Sequence, residues 1–187
     1  MSRSPLSLHA APAAGFDQPF EMLGACHDRV RRSLSLLQRL MEHLDREGAD
    51  ASARSAAADV LRYFDLAAPA HHEDEGRHVL PALRGAGDPA LAALADRLQE
   101  DHRRMAAAWA AARPGLLALA GGQAWSAADG PGHFDTWRAF SALYAGHLQA
   151  EDETAFPFAA ARTPAPALAA MGREMAERRG VKPAGPA

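Results

Sequence analysis

Along most of this chain apolar residues return every three or four positions, and the polar residues that interrupt the stripes carry its chemistry. The first stripe is Phe20, Leu23, His27, Val30, Leu34, Leu37, Met41 and Leu44, the spacing of one buried helical face. It predicts a helix from Asp17 to Glu47, with Asp17 as cap, Pro19 in the first turn and Gly48 as stop. A second helix, 51–84, places Val60, Phe64, Ala67, His71, Glu75, His78, Val79 and Ala82 on or near one face, and Pro69 is expected to bend it just before His71. Asp88-Pro89 opens a third, with Leu91, Leu94, Leu98, His102, Met105, Trp109 and Ala112 facing in. Pro114, Gly115, Gly121 and Gly122 offer more than one place for it to end. Residues 123–132 have the composition of a loop. A fourth helix, 133–162, turns Phe140, Leu143, Tyr144, His147, Glu151, Thr154 and Phe158 inward, and a shorter one, 165–179, follows Thr163-Pro164.

The expected fold is all-α: an antiparallel up-down-up-down four-helix bundle with a short fifth, C-terminal helix packed outside. The corresponding organisation is a flexible arm (1–16), the bundle (17–162), and a C-terminal helix and tail (163–187). Composition agrees. Nearly half of the 187 residues are apolar and Ala is abundant, but the runs of Val, Ile, Thr and aromatics that strands require are missing. A net charge of −3 with interspersed signs leaves no basic surface for nucleic acid or an anionic membrane. Small ligands or protein partners are expected instead. Cys26 is the single cysteine, so no intrachain disulfide forms and a reducing compartment suits the chain. Residues 1–16 lack the continuous apolar core of a signal peptide, and no run approaches membrane-spanning length. A cytoplasmic protein is expected.

Candidate chemistry lies in two related segments. His71 is followed by Glu75 and then Pro81, and His147 by Glu151 and then Pro157, at the same spacings. Each pair sets an imidazole and a carboxylate one turn apart on one helical face. The spacing from His27 to His71 nearly equals that from His102 to His147, which predicts a pseudo-twofold arrangement. Ionisable groups in apolar stripes are costly to bury unless paired or bound to metal. Six occur on four helices: His27, His71, Glu75, His102, His147 and Glu151. Four imidazoles and two carboxylates suit iron, manganese or zinc better than calcium or magnesium. If both carboxylates bridge two metals, an oxide or hydroxide bridge and an open position remain.

Gly76 stands four residues after His72 and five after His71, so the shared spacing selects His71, Glu75 and Glu151. His72, Glu73, Asp74, Asp152 and Glu153 are then expected on flanking or solvent faces, and Asp28 and Asp101 in solvent. His78 is placed to support a ligand or replace one, or to lie at the surface. Tyr144 is placed to hydrogen-bond a bound ligand or to pack in the core. Cys26 is expected as a small core residue.

The combination resembles the hemerythrin-like HHE cation-binding domain, which carries a His on the first helix, HxxxE on the second, a His on the third and HxxxE or HxxxxD on the fourth. Leu80-Pro81 and Phe156-Pro157 match the apolar-Pro step that often follows. The resemblance covers residues 17–179 and implies a non-haem di-iron centre, oxo- or hydroxo-bridged. His27, His71, His102 and His147 are its implied terminal ligands, and Glu75 and Glu151 its bridges. Oxygen-carrying hemerythrins have a second His four residues along the third helix, where this chain has Leu98 and Ala106 beside His102. The set of four His and two Glu is more similar to di-iron proteins that respond to nitric oxide and repair iron–sulfur clusters, without the cysteine-containing N-terminal region usual in them. The implied partner is a diatomic or peroxide ligand. Redox turnover would add an electron donor, and an iron-responsive interaction module would add a protein partner; the sequence names neither.

Two other classes of metal site fail on spacing. Ferritin-like sites need two ExxH pairs, but only Glu75 and His78 qualify. Zincin proteases need HExxH, and the residue three after Glu73 is Gly76.

Overall fold

The computed structural model describes residues 15–125 and 130–181. The predicted arm, apart from Gly15 and Phe16, lies outside them, as do residues 126–129 of the predicted loop and residues 182–187 of the tail. The elements are α1 (Pro19–Glu47), α2 (Ala51–Arg62), a π-helical turn (Tyr63–Ala67), α3 (Ala68–His78), α4 (Leu80–Arg84), α5 (Pro89–Ala120), α6 (Gly130–Ala142), α7 (Tyr144–Ala150), a second π-helical turn (Glu151–Ala155), α8 (Phe156–Ala160) and α9 (Ala165–Arg178). Strands do not occur among the described residues.

These pieces form the four rods and fifth helix that the sequence predicts. α1 is one rod, 51–84 the second, α5 the third and 130–160 the fourth. Their contacts run antiparallel. His27, early in α1, meets His71 late in the second rod. Asp65 meets Arg113 while His72 meets His102, so the second and third rods run in opposite directions. Trp137 donates to the Ala112 carbonyl and His147 lies beside His102, which reverses the fourth rod against the third.

α1 stops at Gly48, whose φ of 75° suits Gly and whose N–H reaches the Leu44 carbonyl at 3.2 Å. At its start, however, Gln18 is the capping residue and makes no side-chain cap bond, so the expected Asp17 cap is not formed. Asp50 and Asp88 do cap, accepting from the N–H groups of Ala53 and Ala90. α5 passes through Pro114 and ends at Gly121. Pro114 is exposed, as is Ala110 one turn back, and water can take the carbonyl that Pro114 cannot.

The second and fourth rods are not continuous α-helices as predicted. Ala68 N–H bonds the Tyr63 carbonyl and Phe156 N–H bonds the Glu151 carbonyl, five residues back rather than four. Each of these wide turns stands just before a proline, Pro69 or Pro157. The extra residue relieves the clash of the ring with the preceding turn and rotates the side chains around it. The predicted bend at Pro69 is therefore a π-helical turn upstream of it.

Two apolar layers divide the interior. One is built from Leu37, Leu40, Val60, Phe64, Leu116, Trp137, Phe140 and their neighbours. The other holds Leu23, Leu80, Leu83, Leu98, Phe156, Met171 and Met175, and α9 covers it. Where α9 passes the N-terminal segment, a methyl on Gly172 would overlap the Phe16 carbonyl oxygen. Between the layers lies a polar one.

Candidate metal centre

The polar layer contains all six residues singled out by spacing. Each is buried, and the most exposed is His102 at 7%. Glu75 Oε1 is 2.9 Å from His71 Nε2 and 3.6 Å from His27 Nε2, and its Oε2 is 3.3 Å from His102 Nε2. Glu151 Oε2 is 3.2 Å from His147 Nε2 and 3.3 Å from His27 Nε2, and its Oε1 is 3.7 Å from His102 Nε2. Each carboxylate thus turns its two oxygens toward imidazoles from different rods.

None of these contacts is a hydrogen bond. Among the described residues, His27 Nε2, both ring nitrogens of His71 and both oxygens of Glu75 and of Glu151 are buried without a hydrogen-bond partner. Native proteins leave few buried polar atoms so placed. His102 Nε2 and His147 Nε2 lie 3.1 Å apart, where two ring nitrogens need a proton or a cation between them. Ligand atoms of His27, His71, Glu75 and Glu151 lie within 4.8 Å of one another, as do those of His72, His102 and His147. The donors, their burial and their unmet bonding all fit metal cations.

Electrostatics point the same way. Burial opposes ionisation of Glu75, but the His71 charge, then His102 and His27, outweigh it and hold the carboxyl well below its ordinary range. Burial and the neighbouring Glu75 oppose Glu151 too, yet His102, His147 and His27 bring it to about 2. The imidazoles answer in kind. Burial lowers His27 and His102, but the two carboxylates more than offset this and raise each from 6.5 to about 9. His71 is raised well above its usual value despite burial, chiefly by Glu75. Without metal, protons supply the positive charge that two buried carboxylates demand.

This fixes the pH dependence of the metal-free protein. Groups raised on folding stabilise fully below 6.5 and lose that contribution as pH passes about 9. Glu151 stabilises above 4.5 and loses that contribution as pH falls through about 2. Chelator-treated protein is therefore expected to be most stable between these limits and to melt progressively lower from pH 6.5 to 9. Metal-loaded protein is expected to bind its ions more tightly over the same range, because the ligands must shed protons. Thermal melts of both forms across pH 4–9 check this, and a flat or rising melting temperature of the stripped form above pH 6.5 contradicts it.

Several residues behave differently from expectation. His72 does not face solvent: its ring stacks on His102 with centroids 4.1 Å apart and planes 10° apart. Burial, then the His102 charge, push it down to about 3, so it stays neutral. Asp152 is only partly exposed and is tied to the site. Its Oδ1 accepts from His27 Nδ1 at 2.7 Å, and its other oxygen pairs with Arg31. That bond fixes the His27 tautomer and turns Nε2 toward the carboxylates. Asp101 approaches His147 Nδ1 at 3.5 Å rather than standing free. Asp74 is fully buried and paired with Arg178 and Arg179 at 2.8 and 2.6 Å.

The remaining candidates divide. His78 is not at the cluster; its Nε2 faces Glu174 of α9 at 3.3 Å. Tyr144 packs in an aromatic group with Phe64 and Phe140, on the side of the polar layer opposite Phe156, which stacks on His27. Cys26 is buried as expected. Burial raises its thiol, but neighbouring His71 more than offsets this and leaves it below its ordinary value. The signal for His72 was its place beside His71; its direction depends on how closely the third rod approaches.

Comparison with known proteins adds two findings. A family model described as the hemerythrin HHE cation binding domain matches residues 18–175. An uncharacterized protein of Haemophilus influenzae is 32% identical over 96 residues, which make up 51% of this chain and 55% of that relative. The match thus spans about half the length of the curated relative. No described helix is long and apolar enough to cross a membrane.

Proposed function

The chain belongs to the hemerythrin HHE cation-binding domain family, and from that premise we propose that it is a non-haem di-iron protein that binds, senses or detoxifies dioxygen, nitric oxide or a peroxide. The observation that supports this most is the set of buried imidazole and carboxylate atoms left without hydrogen-bond partners in one layer. Their mixture of nitrogen and carboxylate donors favours iron over the all-oxygen cations. An oxo- or hydroxo-bridged pair of irons held by these residues would supply one-electron steps and the capacity to take up a small ligand.

The protein's residues have distinct tasks in this reading. His27, His71, His102 and His147 would be the terminal ligands, and Glu75 and Glu151, each of which aims its two oxygens at different histidines, would bridge. Asp152 holds the proton on His27 Nδ1 and so keeps Nε2 free to donate its lone pair. Phe64, Phe140 and Tyr144 on one side and Phe156 on the other exclude water. A dry site strengthens every charge interaction within it.

Metal analysis of protein from iron-replete cells, with absorption spectra before and after reduction, tests the reading. Two irons per chain are expected, with oxo-bridge charge-transfer bands that bleach on reduction and respond to oxygen, nitric oxide or peroxide. Zinc alone, or no iron uptake on anaerobic reconstitution, overturns it. Peroxide reduction, nitric oxide reduction or iron–sulfur repair would require an electron donor in addition.

A second reading, a metal-stabilised and iron-responsive interaction module, is favoured by one observation. Asp74, the neighbour of Glu75, is held by Arg178 and Arg179 at the end of α9. Metal loading and α9 docking therefore bear on the same helical turn.

A further inference from the structure

We propose that a groove between α1 and the start of α2 binds a small amphipathic carboxylate, an acid with one carboxyl group and a short apolar body, and that Arg46 is its anchor. The groove is lined by residues between Leu36 and Ala56, well along α1 from His27, and the inference stands apart from the metal reading.

The groove exists because α2 opens with small side chains. Ala53 and Ala56 share its floor with Leu36 and Leu40 of α1, and all four are buried, so the helices meet below while a cavity of about 210 Å³ stays open above them. That volume holds about seven waters. It has room for a short acyl or aryl body, and such a body gains by displacing water from an apolar floor. A two-chain lipid does not fit.

The rim supplies the charge. Arg39, His43 and Arg46 follow one another at helical spacing along the α1 wall, but they differ in what already holds them. Arg39 donates to Ser35 Oγ at 2.7 Å, and His43 Nε2 lies 3.0 Å from Asp50 Oδ1. Arg46, in the same wall, has no side-chain partner among the described residues. The neighbouring carboxylates are engaged elsewhere: Glu42 accepts from Gln38 at 3.0 Å, and Asp50 caps α2 by accepting from the Ala53 N–H at 2.8 Å. One uncommitted guanidinium therefore stands over an apolar floor, with the Ser52 hydroxyl on the α2 wall. A guanidinium meets a carboxylate through two parallel hydrogen bonds, and the floor takes the apolar body. Neither half of the groove alone selects this ligand class; their juxtaposition does.

Calorimetric titration of the full chain with three probes tests this. Octanoate carries both halves of the ligand, octanamide only the body, and acetate only the charge. Octanoate is expected to bind one per chain with a dissociation constant of about 1 mM or tighter, and octanamide and acetate at least about tenfold more weakly. Arg46→Gln, at an exposed position, is expected to weaken octanoate by about tenfold and leave octanamide unchanged. Ala56→Leu is expected to fill the floor and abolish both; if circular dichroism shows it unfolded, Ser52→Leu at the exposed wall replaces it. Saturation that is absent up to about 10 mM octanoate overturns the site. Octanamide binding as tightly as octanoate overturns the carboxylate class. Octanoate binding that persists unchanged in folded Arg46→Gln puts the acid elsewhere, the metal layer included, and overturns the anchor and the groove together.

Discussion

Glu75→Ala is expected to empty the centre. Glu75 is fully buried and lies within 3.6 Å of His27, His71 and His102, so its loss removes the anion shared by three of the four rods. Retention of iron should fall by at least about 100-fold, beyond what loss of a supporting residue typically costs. The stripped variant should also be weaker than stripped wild type, because His71 keeps its charge chiefly through this carboxylate and His27 and His102 keep theirs through Glu151 and Glu75 together. Removing one partner of a buried ion pair costs about 3–5 kcal/mol, a large part of the roughly 5–15 kcal/mol that holds a domain together. Glu75→Gln separates the two effects: it preserves shape and should restore part of the packing, but not the metal. Metal analysis with thermal melts of both variants decides the matter. Normal iron content in Glu75→Ala would mean that Glu75 is not a ligand.

Asp74→Ala, one residue away, is expected to do the reverse. Asp74 points from the other side of α3 into α9, where Arg178 and Arg179 pair with it. Without it two guanidinium groups lose their buried partner, although Arg178 keeps a contact to Glu73. Because both arginines are partly exposed, the cost should be about 2–3 kcal/mol, below that of a fully enclosed pair. Detachment of α9 uncovers Met171 and Met175, so trypsin should cut at Arg173, Arg178 and Arg179 much faster in the variant. Iron content should stay normal. If wild-type α9 is protected equally with and without metal, α9 does not report on the centre, and the interaction-module reading fails. Loss of iron in Asp74→Ala with α9 still protected would show that Asp74 acts on the metal layer directly.

These neighbouring carboxylates show where sequence reasoning reaches and where it stops. Glu75 was legible because it lies one turn from His71 within an apolar stripe, and the same spacing recurs at His147 and Glu151. Asp74 is expected on a flanking or solvent face, but the face it occupies is fully buried. That face is buried because α9 folds back over it, and no local spacing announces a contact between residues 74 and 178. His72 was set aside for a similar reason. Gly76 follows it one turn on, so its own helix offers no carboxylate partner, and its neighbours His102 and His147 come from the third and fourth rods.

The π-helical turns belong to the same class. Pro69 and Pro157 mark two places where the helix must yield, but a proline alone does not decide between a kink, a break and an inserted residue.

What the sequence by itself determined is the set of five helical segments and the six polar residues that lie in apolar stripes. Those depend on propensity and on spacings of three to ten residues, which are properties of a single helix. What only the tertiary structure decided is how those residues are grouped: which oxygen meets which nitrogen, which histidine joins the second cluster, which aspartate orients His27, and which is sealed beneath α9. Such pairings depend on the distance and rotation between rods, which are set by the sum of all packing contacts and by no single residue.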